Sequence, residues 1–327
     1  MVGWRARRRW AGLGVAGALL VGLAAAPMAV ADDSPAAEVV TLPAPVVAPS
    51  TDAVPTGVVT LGDSFSSGLG AGGYVNGCDN TPNAWGNLIF GSAVTDRTML
   101  ACSGATIPTV RAQVDELAAN PGSGRLVTVT VGGNDAGFAA ELQRCFVSNC
   151  TGREAQIRSK IDGLVGPLTQ IYREIKVAAP NDTVIVGGYP LLVPDPRSRS
   201  WCTALTFLLT NAERDMIRRL GVRLNDVIDT AAAQAGVAAV TSDLEHRFTG
   251  HEACRNSSTD WIYGLKISLW SQDLDTAVEA MQVDAQVEEY YVDPQAEIVA
   301  GWIRDSFHPT RSGQVAYADA FEASYRG

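Results

Sequence analysis

The sequence predicts an α/β domain, doubly wound, with a parallel sheet covered on both faces by helices. Three observations carry this. Five short β-branched or apolar runs recur along the chain, most of them closed by glycine. Longer stretches with apolar residues at steps of three and four lie between them. The runs are nearly continuous in apolar residues, as in strands buried on both faces. Strand–helix alternation of this length is the pattern of a parallel α/β sheet.

Residues 1–31 stand apart. Arg5, Arg7, Arg8 and Arg9 form a basic start, and Trp10 to Ala31 carries no charge and is rich in Ala, Gly, Leu and Val. The run closes on Ala29-Val30-Ala31, a small-x-small cleavage signal. This order reads as a secretory signal peptide. An uncleaved anchor is the rival, since the run could just cross a hydrocarbon core of ~30 Å. The weight of Ala and Gly and the placement of the cleavage site favour removal. Arg7-Arg8 lacks the preceding Ser or Thr of a twin-arginine signal. Without its leader the chain loses four positive charges, and the net charge moves from −10 to −14. Such an acidic chain is a poor partner for nucleic acid. Residues 32–55, rich in Pro, Ala, Val and Ser, read as a linker.

Residues 56–327 are then expected to form one domain. Gly57–Leu61 is the first strand, Arg97–Ala101 the second and Leu126–Val131 the clearest. Thr183–Val186 and Val237–Val240 complete the set. Helical periodicity runs over Ile107–Ala119, Glu154–Ala178, Leu205–Ala235 and Gln314–Tyr325. Residues 255–303 fit the alternation worst and read as an insertion or cap. Within them, Trp261, Tyr263, Leu265, Ile267, Leu269 and Trp270 form an aromatic-apolar stretch. It suits core or cap packing, with an acyl-chain surface as the alternative.

In open parallel sheets, ligands bind beyond the carboxyl ends of the strands. After the first strand come Gly62-Asp63-Ser64-Phe65, after the second Cys102-Ser103-Gly104-Ala105-Thr106, and after the third Gly133-Asn134-Asp135. Asp305-Ser306-Phe307-His308-Pro309 lies near the C-terminus. These are the parts of a serine hydrolase. The Ser64 hydroxyl needs a base to become a nucleophile, and histidine is suited to that. Asp305 precedes His308 by three residues, so one turn would bring its carboxylate to the imidazole. The N–H groups of Ser64 and Gly104 and the Asn134 amide can serve a developing oxyanion. Asp63 is expected to order the turn, and Ser66 and Ser67 to begin a helix. Of the three histidines, His246 sits between Glu245 and Arg247 and reads as solvated, while His251 is a lesser candidate for the site.

Six cysteines in an exported chain suggest disulfides, with 15 pairings possible. Cys145 and Cys150 are close enough for a local loop bridge. Sequential pairing is expected: Cys78–Cys102, Cys145–Cys150 and Cys202–Cys254. No Cys-x2-Cys pair and no His-Glu-x-x-His motif exists, so no metal site and no cofactor is expected.

The four blocks, in this order and at this spacing, resemble those of the SGNH, or GDSL-type, hydrolases. Gly250-His251-Glu252-Ala253-Cys254 and the six-cysteine layout are similar to the secreted actinobacterial esterases and lipases of that family. The resemblance covers residues 57–325. It implies a flavodoxin-like sheet of five parallel strands and hydrolysis of carboxylic esters. It implies Ser64 as nucleophile, His308 as base, and Ser64, Gly104 and Asn134 as the oxyanion hole. Some members of the branch use a backbone carbonyl in place of the acid; with Asp305 kept, a triad is expected here. The expected protein is a secreted monomer acting on a small-molecule or lipid ester. Carbohydrate deacetylation and phospholipid acyl hydrolysis are alternatives, and a non-catalytic cell-envelope binding protein is the alternative of another class.

Overall fold

The first strand, β1 (Val58–Gly62), is buried along its whole length. β3 (Leu126–Thr130) is buried throughout as well. In the computed structural model these two strands pair in parallel, Val58 opposite Leu126 and Gly62 opposite Thr130. The structure describes residues 54–203, 205, 209–265 and 305–327. These all fall within one compact unit, Ala48–Gly327. The expected leader, all but the last two linker residues, and most of the 255–303 segment lie outside the described residues.

β2 (Arg97–Met99) pairs with the free side of β1. β4 (Thr183–Val186) and β5 (Ala238–Ala239) extend the sheet beyond β3. The order is β2-β1-β3-β4-β5, all parallel. The chain leaves β1 toward β2 on one side and then returns to β3 on the other. The crevice between the carboxyl ends of β1 and β3 is therefore the topological switch point, where such sheets bind ligands.

Helices α1 (Ser64–Ser67) and α2 (Trp85–Leu88) follow β1, and α3 (Ile107–Ala119) follows β2. α4 (Phe138–Val147), α5 (Glu154–Asp162) and α6 (Val165–Ala178) separate β3 from β4. α7 (Asn211–Ala235) and α8 (Thr241–Phe248) flank β5, and α9 (Arg311–Arg326) closes the chain. In one helix layer α3 packs on α6 and α6 on α7; in another, α9 contacts α2 and α8. The second layer is aromatic. Trp85 stacks on Tyr317 with centroids 4.4 Å apart.

The helical run expected over Glu154–Ala178 is two helices, α5 and α6, separated at Gly163 and Leu164. Apolar spacing continues across the break, because both pieces face the same core. The long helix expected from Leu205 begins at Asn211 instead. Thr210 caps it: its hydroxyl accepts the Glu213 N–H, and the Glu213 carboxylate accepts the Thr210 N–H. Helices α4 and α8 had no counterpart in the sequence reading.

Three disulfides join Cys78 to Cys102, Cys145 to Cys150 and Cys202 to Cys254. No helix among the described residues is long and apolar enough to cross a membrane.

Candidate active site

Ser64 opens α1 at the end of β1, on a turn that only glycine permits. Gly62 has φ +119°, and a Cβ there would meet the Thr130 carbonyl oxygen at 2.2 Å. The Gln113 side chain holds this glycine from both sides: its carbonyl accepts the Gly62 N–H at 2.7 Å, and its amide donates to the Gly62 carbonyl at 3.0 Å. Asp63 caps α1 by accepting the Phe65 N–H at 3.1 Å. Gly68 then ends the helix in the left-handed region.

His308 reaches Ser64 from the far end of the chain. Its Nε2 lies 2.8 Å from Ser64 Oγ. The segment bearing His308 is fixed by main-chain bonds. The Phe307 N–H donates to the Tyr263 carbonyl at 2.9 Å, and the Tyr263 N–H donates to the His308 carbonyl at 3.1 Å. The Thr310 N–H donates to the Trp261 carbonyl, and Ile262 bridges Pro309. Trp261 and Tyr263 thus belong to the strap that holds the histidine.

His308 Nδ1 lies 2.9 Å from the main-chain carbonyl oxygen of Ser306. The Asp305 carboxylate accepts the Tyr74 hydroxyl at 2.9 Å, and that hydroxyl accepts the Gly70 N–H. Phe307 has φ +60°, and the His308 N–H donates to the Asp305 carbonyl at 3.3 Å.

Gly104 sits in a tight turn at φ +80°, with the Ala105 N–H donating to the Cys102 carbonyl. Asn134 follows β3 and uses one amide proton on the Ala105 carbonyl at 2.9 Å. Its neighbour Asp135 accepts the Ile107 N–H with both oxygens at 3.1 Å, and burial raises its pKa. Residues 134 and 135 therefore clasp the segment carrying Gly104. Among the described residues, neither the Ser64 nor the Gly104 N–H meets an acceptor.

Next to Ser64 is a polar cluster of buried groups. Asp63 is wholly buried and accepts the Thr130 hydroxyl at 2.8 Å and the Tyr189 hydroxyl at 2.5 Å. Burial outweighs these bonds and pushes the Asp63 pKa up to about 6. Burial and the neighbouring Asp63 raise the Tyr189 phenol well above its ordinary value, so it stays protonated. Tyr189 and Ser306 were missed in the sequence. Tyr189 follows Gly187-Gly188 at the end of β4, so the strand-end rule that found the other blocks also points to it. Ser306 acts through its main chain and leaves no signal of residue type.

Ser64, Gly104, Asn134 and His308 line one cavity of about 350 Å³. Its remaining wall is mostly apolar; Phe138 and Leu142 of α4 and Ile217 and Leu224 of α7 form part of it, with Phe65, Leu69, Tyr189 and Phe307. His246 is exposed on α8. His251 does not line the cavity; its ring stacks on Trp261 at 3.8 Å, and Nδ1 lies 2.7 Å from the Thr259 carbonyl oxygen. Among the described residues no group of His, Cys, Asp and Glu is arranged to hold a metal ion.

Residues 60–316 match the model of the GDSL-like lipase/acylhydrolase family. A protein named Lipase 1 from Streptomyces coelicolor is 34% identical over 220 residues, which are 64% of this chain and 76% of that one. Two solved structures share the architecture over 99% of their own length. Phospholipase A1 from Streptomyces albidoflavus has a TM-score of 0.63 at 30% identity over 83% of this chain. The extracellular lipase of Streptomyces rimosus has a TM-score of 0.61 at 29% identity over 82% of this chain.

Proposed function

From the premise that the chain belongs to the GDSL-like lipase/acylhydrolase family, and so hydrolyses carboxylic esters, we propose that it does so through an acyl-enzyme at Ser64. The observation that carries this is the 2.8 Å contact of Ser64 Oγ with His308 Nε2. His308 takes the Ser64 proton as Oγ attacks the ester carbonyl, and returns it to the departing alcohol. A water then attacks the acyl-enzyme with the same imidazole as base. The Ser306 carbonyl accepts Nδ1–H. That bond keeps Nε2 unprotonated and ready, and its dipole favours the imidazolium that forms. The unengaged N–H groups of Ser64 and Gly104, with the second amide proton of Asn134, bind the oxyanion. One such donor contributes about 3 kcal/mol to the transition state. Asp305 acts as a brace through Tyr74 and Gly70.

The mature protein starts after residue 31, carries residues 32–55 as a linker and works outside the cell as a monomer. Three disulfides support an oxidising compartment. Phospholipid acyl hydrolysis is the second reading, favoured by the apolar cavity wall; that wall disfavours an acetylated carbohydrate.

The test is hydrolysis of chromogenic esters by the protein and by Ser64→Ala. A loss of about three orders of magnitude or more in kcat is expected. Equal rates for the two proteins would overturn the mechanism.

A further inference from the structure

We propose that His251 is a positioning residue for His308: its ring, stacked on Trp261, steadies the strap that carries the catalytic imidazole. This rests on His308 being the base at Ser64. The strap, Trp261 to Tyr263, grips the His308 segment through main chain alone. Tyr263 exchanges bonds with Phe307 and His308, Ile262 bridges Pro309, and the Trp261 carbonyl accepts the Thr310 N–H at 2.8 Å. Those bonds set the path of His308 only as firmly as the strap itself is set. The Trp261 indole is its side-chain anchor. The His251 ring lies flat on it, with centroids 3.8 Å and planes 5° apart. Phe248 of α8 meets the same indole edge-on at 5.6 Å. The strap also presses on the first turn of α9, where a Cβ on Gly313 would run into the Trp261 carbonyl oxygen.

His251 is half-buried and does not line the cavity. Its N–H donates to the Phe248 carbonyl at 2.9 Å, and its carbonyl accepts the Trp261 N–H at 2.7 Å. Almost any residue can make those two bonds. The side chain is what calls for histidine. Nδ1 lies 2.7 Å from the Thr259 carbonyl oxygen. A carbonyl only accepts, so Nδ1 carries the proton and donates. That bond fixes the rotation of the ring, with its face on the indole. Phenylalanine would supply the face without the donor, and glutamine the donor without the face. Imidazole supplies both.

The stack transmits position because the run bearing His251 is itself tied down. Buried Glu252 accepts the Gly250 N–H at 2.9 Å and meets the Arg218 guanidinium of α7 at 3.7 Å. The Ala253 N–H donates to the Leu192 carbonyl at 3.0 Å, and Cys254 is bridged to Cys202. Buried Asp260 accepts the Cys254 N–H at 3.1 Å and the Arg255 N–H at 2.6 Å, which closes the loop back onto the strap. Gly250 to Cys254 is thus a fixed base, and the His251 ring passes its position to Trp261. A shift of about 1 Å in a reacting group, made from far outside the chemistry, can cost ~10²-fold in rate. One ring stack can therefore matter to turnover without touching substrate.

The experiment is steady-state hydrolysis of p-nitrophenyl butyrate by the protein and by His251→Ala, His251→Gln and His251→Phe. The His308 Nδ1 proton is followed in parallel by NMR. Bonded to the Ser306 carbonyl, it should give a downfield resonance that disappears in His308→Ala. His251→Ala and His251→Gln both remove the stack. In each, kcat should fall about tenfold or more, KM should stay within about twofold because His251 does not line the cavity, and the resonance should broaden or shift. Glutamine keeps a donor for Thr259, so it carries the test where alanine fails to fold. His251→Phe restores the stacked ring and should bring kcat back to within about threefold of the unsubstituted protein. A kcat within about threefold in His251→Gln, an unmoved resonance, or a His251→Phe as slow as His251→Gln would overturn the proposal. Ser64→Ala on the same ester reports separately on the acyl-enzyme: full activity there would refute that mechanism and leave the resonance test of His251 intact.

Discussion

The Tyr189 hydroxyl donates to the Asp63 carboxylate at 2.5 Å and accepts the Gly133 N–H at 3.1 Å. One phenol thereby ties the residue before Ser64 to the residue before Asn134. It links the segments that follow β1 and β3, which carry Ser64 and Asn134. Phe65 meets the same ring edge-on at 5.0 Å.

Removing that hydroxyl tests the tie. Tyr189→Phe keeps the ring but leaves the Gly133 N–H without its acceptor and takes one donor from Asp63. A part-buried polar group left unpaired costs about 1–3 kcal/mol. Chemical denaturation should show a loss of that size. Because the Tyr189 bond lowers the Asp63 pKa, that pKa should rise further in the variant. Turnover should fall with little change in KM, since the groups disturbed act on the transition state. Unchanged stability and kcat would remove Tyr189 from this role.

Asp63 makes stability depend on pH in an unusual direction. Its pKa is raised from 3.8 to about 6 in the folded state, so the folded chain holds the proton more tightly than the unfolded one. Its stabilising contribution is full below the unfolded pKa. It is lost as pH rises through the folded value. A shift of about two units corresponds to about 3 kcal/mol, as an order of magnitude. Between about pH 4 and pH 6, the protein should lose stability relative to Asp63→Asn. Denaturation of both proteins across that range checks it. Parallel curves would mean that Asp63 does not titrate there.

The disulfides close loops of very different length, with sequence separations of 52, 24 and 5 residues. If each acts mainly on the unfolded chain, loop entropy gives about 4, 3.5 and 2 kcal/mol in that order. Paired Cys→Ala replacements followed by urea unfolding should rank the bridges this way, Cys202–Cys254 first and Cys145–Cys150 last. A reversed ranking would show that native-state packing decides their effect.

The parts of this molecule legible in sequence are those where one residue type has one physical reason to be present. The runs from Val58 and Leu126 are buried on both faces and end where the chain needs glycine, so their strands and the blocks behind them could be read directly. Gly62 is an example, since no other residue fits against Thr130. α4 was missed because it begins straight after a catalytic-type block, where the sequence suggests only a loop. The break at Gly163 was hidden because α5 and α6 share one buried face. What stayed least legible was work done by main chain, as at Ser306, where any residue supplies the same carbonyl.

The two readings of Asp305 differ by orders of magnitude in rate. An aspartate that holds the imidazole directly costs about 10⁴-fold in kcat when changed to asparagine, because the ring takes the wrong tautomer. Here Nδ1 is on the Ser306 carbonyl, and the Asp305 carboxylate accepts from Tyr74. Asp305→Asn retains an oxygen for the Tyr74 hydroxyl and leaves the Ser306 carbonyl in place. Its kcat should therefore fall only about tenfold or less, while His308→Ala should fall by about three orders of magnitude or more. Steady-state kinetics on one ester separates the cases. A loss in Asp305→Asn comparable to that in His308→Ala would return the carboxylate to the imidazole and make the site a triad after all.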